Sequence, residues 1–130
     1  MVRTAAALFV AFALSACASA APHEDTDMRS ITAGSSSTLH QGETVRLPDG
    51  ATLKYIDVPQ DSRCPPNARC IRAGDADIRF EFATSGGTTA PMTANLPEAP
   101  SKNMGAWRLT VEALAFGEVQ PVTVRIDPAQ

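Results

Sequence analysis

The sequence predicts an all-β domain, a small antiparallel β-sandwich or partly open barrel of six to eight strands. Three observations carry that prediction. After Thr38 the chain breaks into short runs rich in Val, Ile, Thr and Phe, separated by Gly and Pro turns. The clearest run, Asp75 to Thr84, alternates with period two, placing Ala76, Ile78, Phe80 and Phe82 on one face and Asp75, Asp77, Arg79 and Glu81 on the other. A length of 130 residues, 44% of them hydrophobic and 5% aromatic, gives room for one domain and excludes a two-domain cofactor enzyme.

Residues 1–16 form the first element. Met-Val-Arg precedes an apolar run from Ala5 to Leu14, followed by Ser15-Ala16 before Cys17. One positive charge, a short apolar core and small residues at the cut make a secretory signal. The run is about half the length a membrane-spanning helix needs. Leu14-Ser15-Ala16-Cys17 resembles the lipobox of bacterial lipoproteins. That resemblance implies cleavage before Cys17 and a diacylglycerol, with further acyl chains such as palmitate, on the cysteine. Each buried CH₂ adds roughly 0.8 kcal/mol, so several chains hold a protein on a membrane. Ala18 is not the aspartate that retains many Gram-negative lipoproteins at the inner membrane, which implies the outer membrane, facing the periplasm, in such a host. Ordinary secretion, with Ala18-Ser19-Ala20 as the cleavage site, is the alternative.

Residues 17–37 read as the lipidated cysteine and a flexible tether, poor in apolar side chains and ending in Gly34-Ser35-Ser36-Ser37. The β-domain is expected over 38–130. Thr44 to Leu47 alternates, and Pro48-Asp49-Gly50 is a turn signal: Pro fixes φ and Gly tolerates positive φ. Ala51 to Val58 reads as a strand whose parity slips between Tyr55 and Ile56, as at a bulge. Thr88 to Leu96 is a weaker strand, and Glu98 to Lys102 a loop. Trp107 to Phe116 points Trp107, Leu109 and Val111 inward, although its local propensity is also compatible with a helix. Val122, Val124 and Ile126 close the sheet.

With Cys17 lipidated, Cys64 and Cys70 remain as an even pair in an oxidising compartment. Their spacing fits neither a C-x-x-C redox site nor a zinc site, so a structural disulfide is expected. Closing that loop is worth roughly 2.4 kcal/mol in the chain-entropy model. The surrounding Asp61-Ser62-Arg63-Cys64-Pro65, with Cys70 and Ala73-Gly74 downstream, resembles a family of small, uncharacterised bacterial lipoproteins and secreted proteins. The resemblance is firm over about 16 residues from Asp61 to Ala76, and over 39–126 only the strand rhythm matches. It implies a lipid-anchored β-domain and supplies no catalytic residue. Members of that family carry tryptophan where this chain has Arg72.

The residues themselves suggest a stiffened connection between strands, with Asp61 or Ser62 capping backbone amides and Arg63 pairing with Asp61 or Asp57. The same loop offers Arg63, Arg69 and Arg72 to a partner, since rigidity lowers the entropy cost of binding. The partner expected is an envelope protein or glycan. Its Pro-Pro and Arg69 also resemble the loops of small protease inhibitors, a minor alternative. A second alternative is a small-ligand or calcium module using Asp57, Asp61, Asp75 and Asp77, although no complete Asp-x-Asp-x-Asp-Gly pattern is present. Copper ligation by His23, His40, Met28, Met92 and Met104 lacks close ligand spacing. Trp107 reads as core, or as an exposed platform for a sugar.

Enzyme signatures are missing: no G-x-S-x-G elbow, H-E-x-x-H helix or phosphate-cradling glycine loop occurs. A net charge of −3 without a basic run argues against nucleic acid. No enzyme activity and no cofactor are expected.

Overall fold

The computed structural model describes residues 28–130. The signal segment, Cys17, His23 and most of the expected tether lie outside the described residues. Eight strands form two antiparallel sheets of four, stacked as a β-sandwich and not closed into a barrel. One sheet contains β2 (Thr44–Arg46), β3 (Thr52–Asp61), β4 (Ala76–Ala83) and β5 (Thr89–Leu96), in that spatial order. The other runs β1 (Ser36–Leu39), β8 (Val122–Pro128), β7 (Trp107–Leu114), β6 (Ser101–Met104).

Period-two alternation places the core. Ala76, Ile78, Phe80 and Phe82 are all buried from β4, and they face Leu109, Val111, Val124 and Ile126 from the other sheet. Tyr55 and Phe80 pack as tilted rings, 5.7 Å between centroids, in the middle of this layer. The Tyr55 hydroxyl donates to the Gln120 carbonyl at 2.6 Å, so this buried ring also ties β3 to the approach of β8.

Two strands change parity through irregular pairing. Six steps along β3, from Tyr55 to Asp61, face four along β4, from Phe80 to Ala76. The slip expected after Tyr55 is thus a real break in register, and it bends the end of β3 away from regular pairing. In β7 the break lies between Val111 and Ala113. Inward positions are Leu109 and Val111 before it and Leu114 after it, so the extra residue, Glu112, is what lets Leu114 enter the core.

The expected turn at Pro48-Asp49-Gly50 forms as a tight hairpin loop. Gly50 donates to the Leu47 carbonyl at 3.0 Å and Leu47 to the Ala51 carbonyl at 2.8 Å, with Gly50 at φ 87°. Trp107 is half-buried and packs against the core at this end. Its enclosed indole N–H lies toward the Asp49 carboxylate without completing a hydrogen bond. The Asp49 pKa is lowered first by the Ala51 backbone N–H and then by that indole.

Two expectations need correction. The fold begins before Thr38, since β1 starts at Ser36 and Ile31 is buried. Ile31 donates to the Arg46 carbonyl and Arg46 to the Arg29 carbonyl, both at 2.9 Å, so residues 29–31 cover the open edge of β2. Residues 28–37 are therefore part of the domain, whatever their polar composition. Second, the segment read as loop up to Lys102 contains the start of β6, whose Ser101-Lys102-Asn103-Met104 buries only Met104 against the core. The strand expected from Trp107 does form, and the helix that its local propensity also allowed does not, because β7 pairs on both sides. Among the described residues no helix is long and apolar enough to cross a membrane.

Candidate functional site

The connection from β3 to β4 is a hairpin extension that projects past the sheet. Its base is closed twice by backbone bonds, Ser62 N–H to Asp75 O at 2.8 Å and Cys64 N–H to Ala73 O at 2.9 Å. The Ser62 hydroxyl adds contacts to the Asp75 carbonyl at 3.2 Å and carboxylate at 3.1 Å. Above this base, Cys64 and Cys70 are joined as a disulfide with their Cα atoms 5.8 Å apart, as the cysteine count predicts. Ala73-Gly74 of the motif has a steric origin. Gly74 sits at φ +68°, and a Cβ there would lie 1.9 Å from the Ser62 carbonyl oxygen. No other residue fits beside that strand.

Arg63 turns inward rather than toward solvent. Its guanidinium meets both Asp61 oxygens at 2.8 and 2.7 Å, donates to the Leu114 carbonyl at 2.7 Å, and reaches Ala115 O at 3.3 Å. It also lies 4.1 Å over the ring of Phe116. Asp61 in addition caps the Arg63 backbone N–H at 3.1 Å and accepts from Gln120 Nε2 at 2.8 Å. The side chains of Arg63 and Asp61 are only 13% and 19% exposed. Arg63 therefore clamps the β3–β4 loop onto the end of β7 in the opposite sheet. The Arg63 bonds hold the Asp61 pKa below the usual carboxylate range, against the opposing effect of partial burial.

Arg69 and Arg72 behave differently. Both are exposed, and between them Ile71 is 103% exposed, as open as an isolated residue. Of the three arginines named as partner-binding candidates, the structure brings these two to the loop surface and uses the third inside. Shallow grooves flank the loop base: Arg72, Gly74, Asp75 and Glu98 line one, and Arg63, Leu96, Pro97 and Leu114 the other.

The four aspartates of the calcium alternative each have a protein partner, which Asp75 and Asp77 share. Asp57 pairs with Arg79 and Asp61 with Arg63. Asp75 and Asp77 both accept from the Asn95 amide, at 2.7 and 2.9 Å. The Asp75 pKa is lowered first by Asn95 and then by Ser62. Among the described residues no group of three or more His, Cys, Asp or Glu side chains is placed to hold a metal ion. Of the copper candidates, Met104 is in the core, Met92 packs against it and His40 is exposed on the β1–β2 turn.

Sequence reasoning missed the neighbours that complete this end of the molecule. Phe116 and Val119, on the β7–β8 loop, are 42% and 67% exposed, and with Ile71 they are the exposed large apolar side chains among the described residues. The available signal was the apolar pair in Ala115-Phe116-Gly117-Glu118-Val119, in a stretch otherwise read as a strand end and turn. Comparison of the chain with protein-family models, with curated proteins and with solved structures finds no match.

Proposed function

We propose that the protein is a non-catalytic, lipid-anchored component of the cell envelope, held through Cys17, that binds another envelope component through the Cys64–Cys70 loop. The observation that supports this reading is the division of labour inside the loop. Asp61, Ser62, Arg63, the two cysteines and Gly74 are committed to holding it rigid, while Arg69, Ile71 and Arg72 are exposed, and neither arginine side chain makes a hydrogen bond or ion pair among the described residues. A rigid loop that exposes an apolar side chain between two guanidinium groups loses little entropy on binding. Arginine next to apolar surface is also what interface hot spots are made of.

The anchor and the loop are tested together. Intact mass of the membrane-fraction protein, before and after reduction and alkylation, should show acyl chains on the mature N-terminus and two further alkylation sites appearing only after reduction. A mass matching unmodified chain cut elsewhere overturns the anchor. Replacing Arg69 and Arg72 by glutamate should weaken association with the partner while the melting temperature stays unchanged, and association that survives this charge reversal rejects the loop as the contact.

A further inference from the structure

The loop end of the sandwich is asymmetric in two independent respects. All the exposed large apolar side chains of the described residues, Ile71, Phe116 and Val119, belong to the two loops there. These loops are adjacent, because Arg63 bonds to Leu114 and Ala115 and stacks on Phe116 while Gln120 bonds to Asp61. The second respect is the direction of the chain. Residues 29–31 run parallel to β2, and β2 is antiparallel to β3, which leads into the disulfide loop. Followed backward from Ser30, the backbone therefore heads toward the loop end as it leaves the described region at Met28.

Ten residues separate Cys17 from Met28. Fully extended, they reach at most about 35 Å. Met28 stands near the level of Lys54, and the bulged stretch from there to Asp61 advances along the sheet only as far as the five β4 steps from Glu81 to Ala76, about 17 Å. An anchor at Cys17 can thus lie in a surface that the loop end touches, with the chain continuing in the direction it already has; presenting the opposite end requires it to reverse.

We infer that the envelope component bound by the loop is the phospholipid surface carrying the anchor: Ile71 enters the headgroup layer with Val119 and Phe116 beside it, and Arg69 and Arg72 pair with lipid phosphates. This rests on the anchored reading above. Apolar side chains that penetrate the interface, flanked by guanidinium groups at phosphate depth, are the elements of peripheral membrane contact. Glu118 and Glu98 on neighbouring loops keep the end from being strongly cationic, so the contact is local and not a long-range field. A covalent anchor supplies the effective concentration that makes so small a contact sufficient. The disulfide and the Arg63 clamp keep the two apolar loops in one fixed relation to the membrane.

The test uses the full mature lipoprotein, reconstituted into vesicles of phosphatidylethanolamine and phosphatidylglycerol, with a nitroxide on a genetically encoded residue at position 71, 119 or 81. Flotation reports the anchor. Collision with oxygen against a polar nickel chelate reports depth. The expected result is flotation with the probes at 71 and 119 in the lipid interface and the probe at 81, on the outer face of β4, in water. Arg69→Glu with Arg72→Glu should move the probe at 119 into water without preventing flotation. Flotation with all three probes in water overturns the inference and leaves the anchored reading intact. A probe at 71 that is aqueous in pure lipid but immobilised in native membranes identifies a protein partner and also overturns it. Failure to float removes the anchor and the inference with it.

Discussion

Gly74 and Arg63 show how single residues decide this loop. Gly74→Ala places a methyl group against the Ser62 carbonyl at positive φ, whereas Gly42, at φ +83°, has nothing within 4 Å. The first substitution should cost more than the roughly 1–3 kcal/mol typical of a strained backbone position, and Gly42→Ala should stay within it, as urea midpoints will show. Arg63→Ala removes charge-assisted bonds to Asp61 and leaves the Leu114 carbonyl without that donor. A loss of about 1.5–3 kcal/mol is expected, against less than about 0.5 kcal/mol for Arg72→Ala. Arg63 also sets an acid response. Its bonds lower the folded Asp61 pKa, so their stabilisation is fully present above the unfolded value near 3.9 and is lost as pH falls through the folded one. Stability measured from pH 5 to pH 2 should therefore fall less steeply in Arg63→Ala than in the parent chain. An unchanged slope contradicts the clamp.

Strands are legible in a sequence where alternation is strong, and β4 is the clear case: four apolar residues at every second position bury on one face. The slip after Tyr55 was visible for the same reason. β1 and β6 were not, because Ser36-Ser37-Thr38-Leu39 and Ser101-Lys102-Asn103-Met104 each bury a single side chain, Leu39 and Met104. Both are short edge strands held mainly by backbone bonds to β8 and β7, and nothing in their composition records the neighbour that supplies those bonds. The inward path of Arg63 was equally hidden, since Leu114 and Ala115 lie 51 and 52 residues away and are presented by a bulge at Glu112. What the motif did reveal was the disulfide and the pairing of Arg63 with Asp61. Reducing the disulfide should lower stability by roughly 2.4 kcal/mol without unfolding the sandwich, because the Ser62–Asp75 bonds close the base below it.

At the scale of the molecule, one buried hydroxyl links the sheets. Tyr55→Phe leaves the Gln120 carbonyl unpaired and should cost about 1 kcal/mol. Burial raises the Tyr55 pKa, so the neutral phenol stabilises the fold up to its unfolded value near 10, and that stabilisation is lost as pH rises beyond it. The two sheets also give the molecule two unlike ends. Tight turns and half-buried Trp107 occupy one; the disulfide loop, the β5–β6 corner and the β7–β8 loop occupy the other, with Arg69, Ile71 and Arg72 at its surface. We propose this second end as the contact surface. Photocrosslinking in living cells, from a crosslinkable residue in place of Arg72 and a control in place of Thr123 on β8, tests it most directly. An adduct with an envelope component is expected from position 72 and none from 123. No adduct from 72 in correctly localised protein, or equal adducts from both positions, contradicts it.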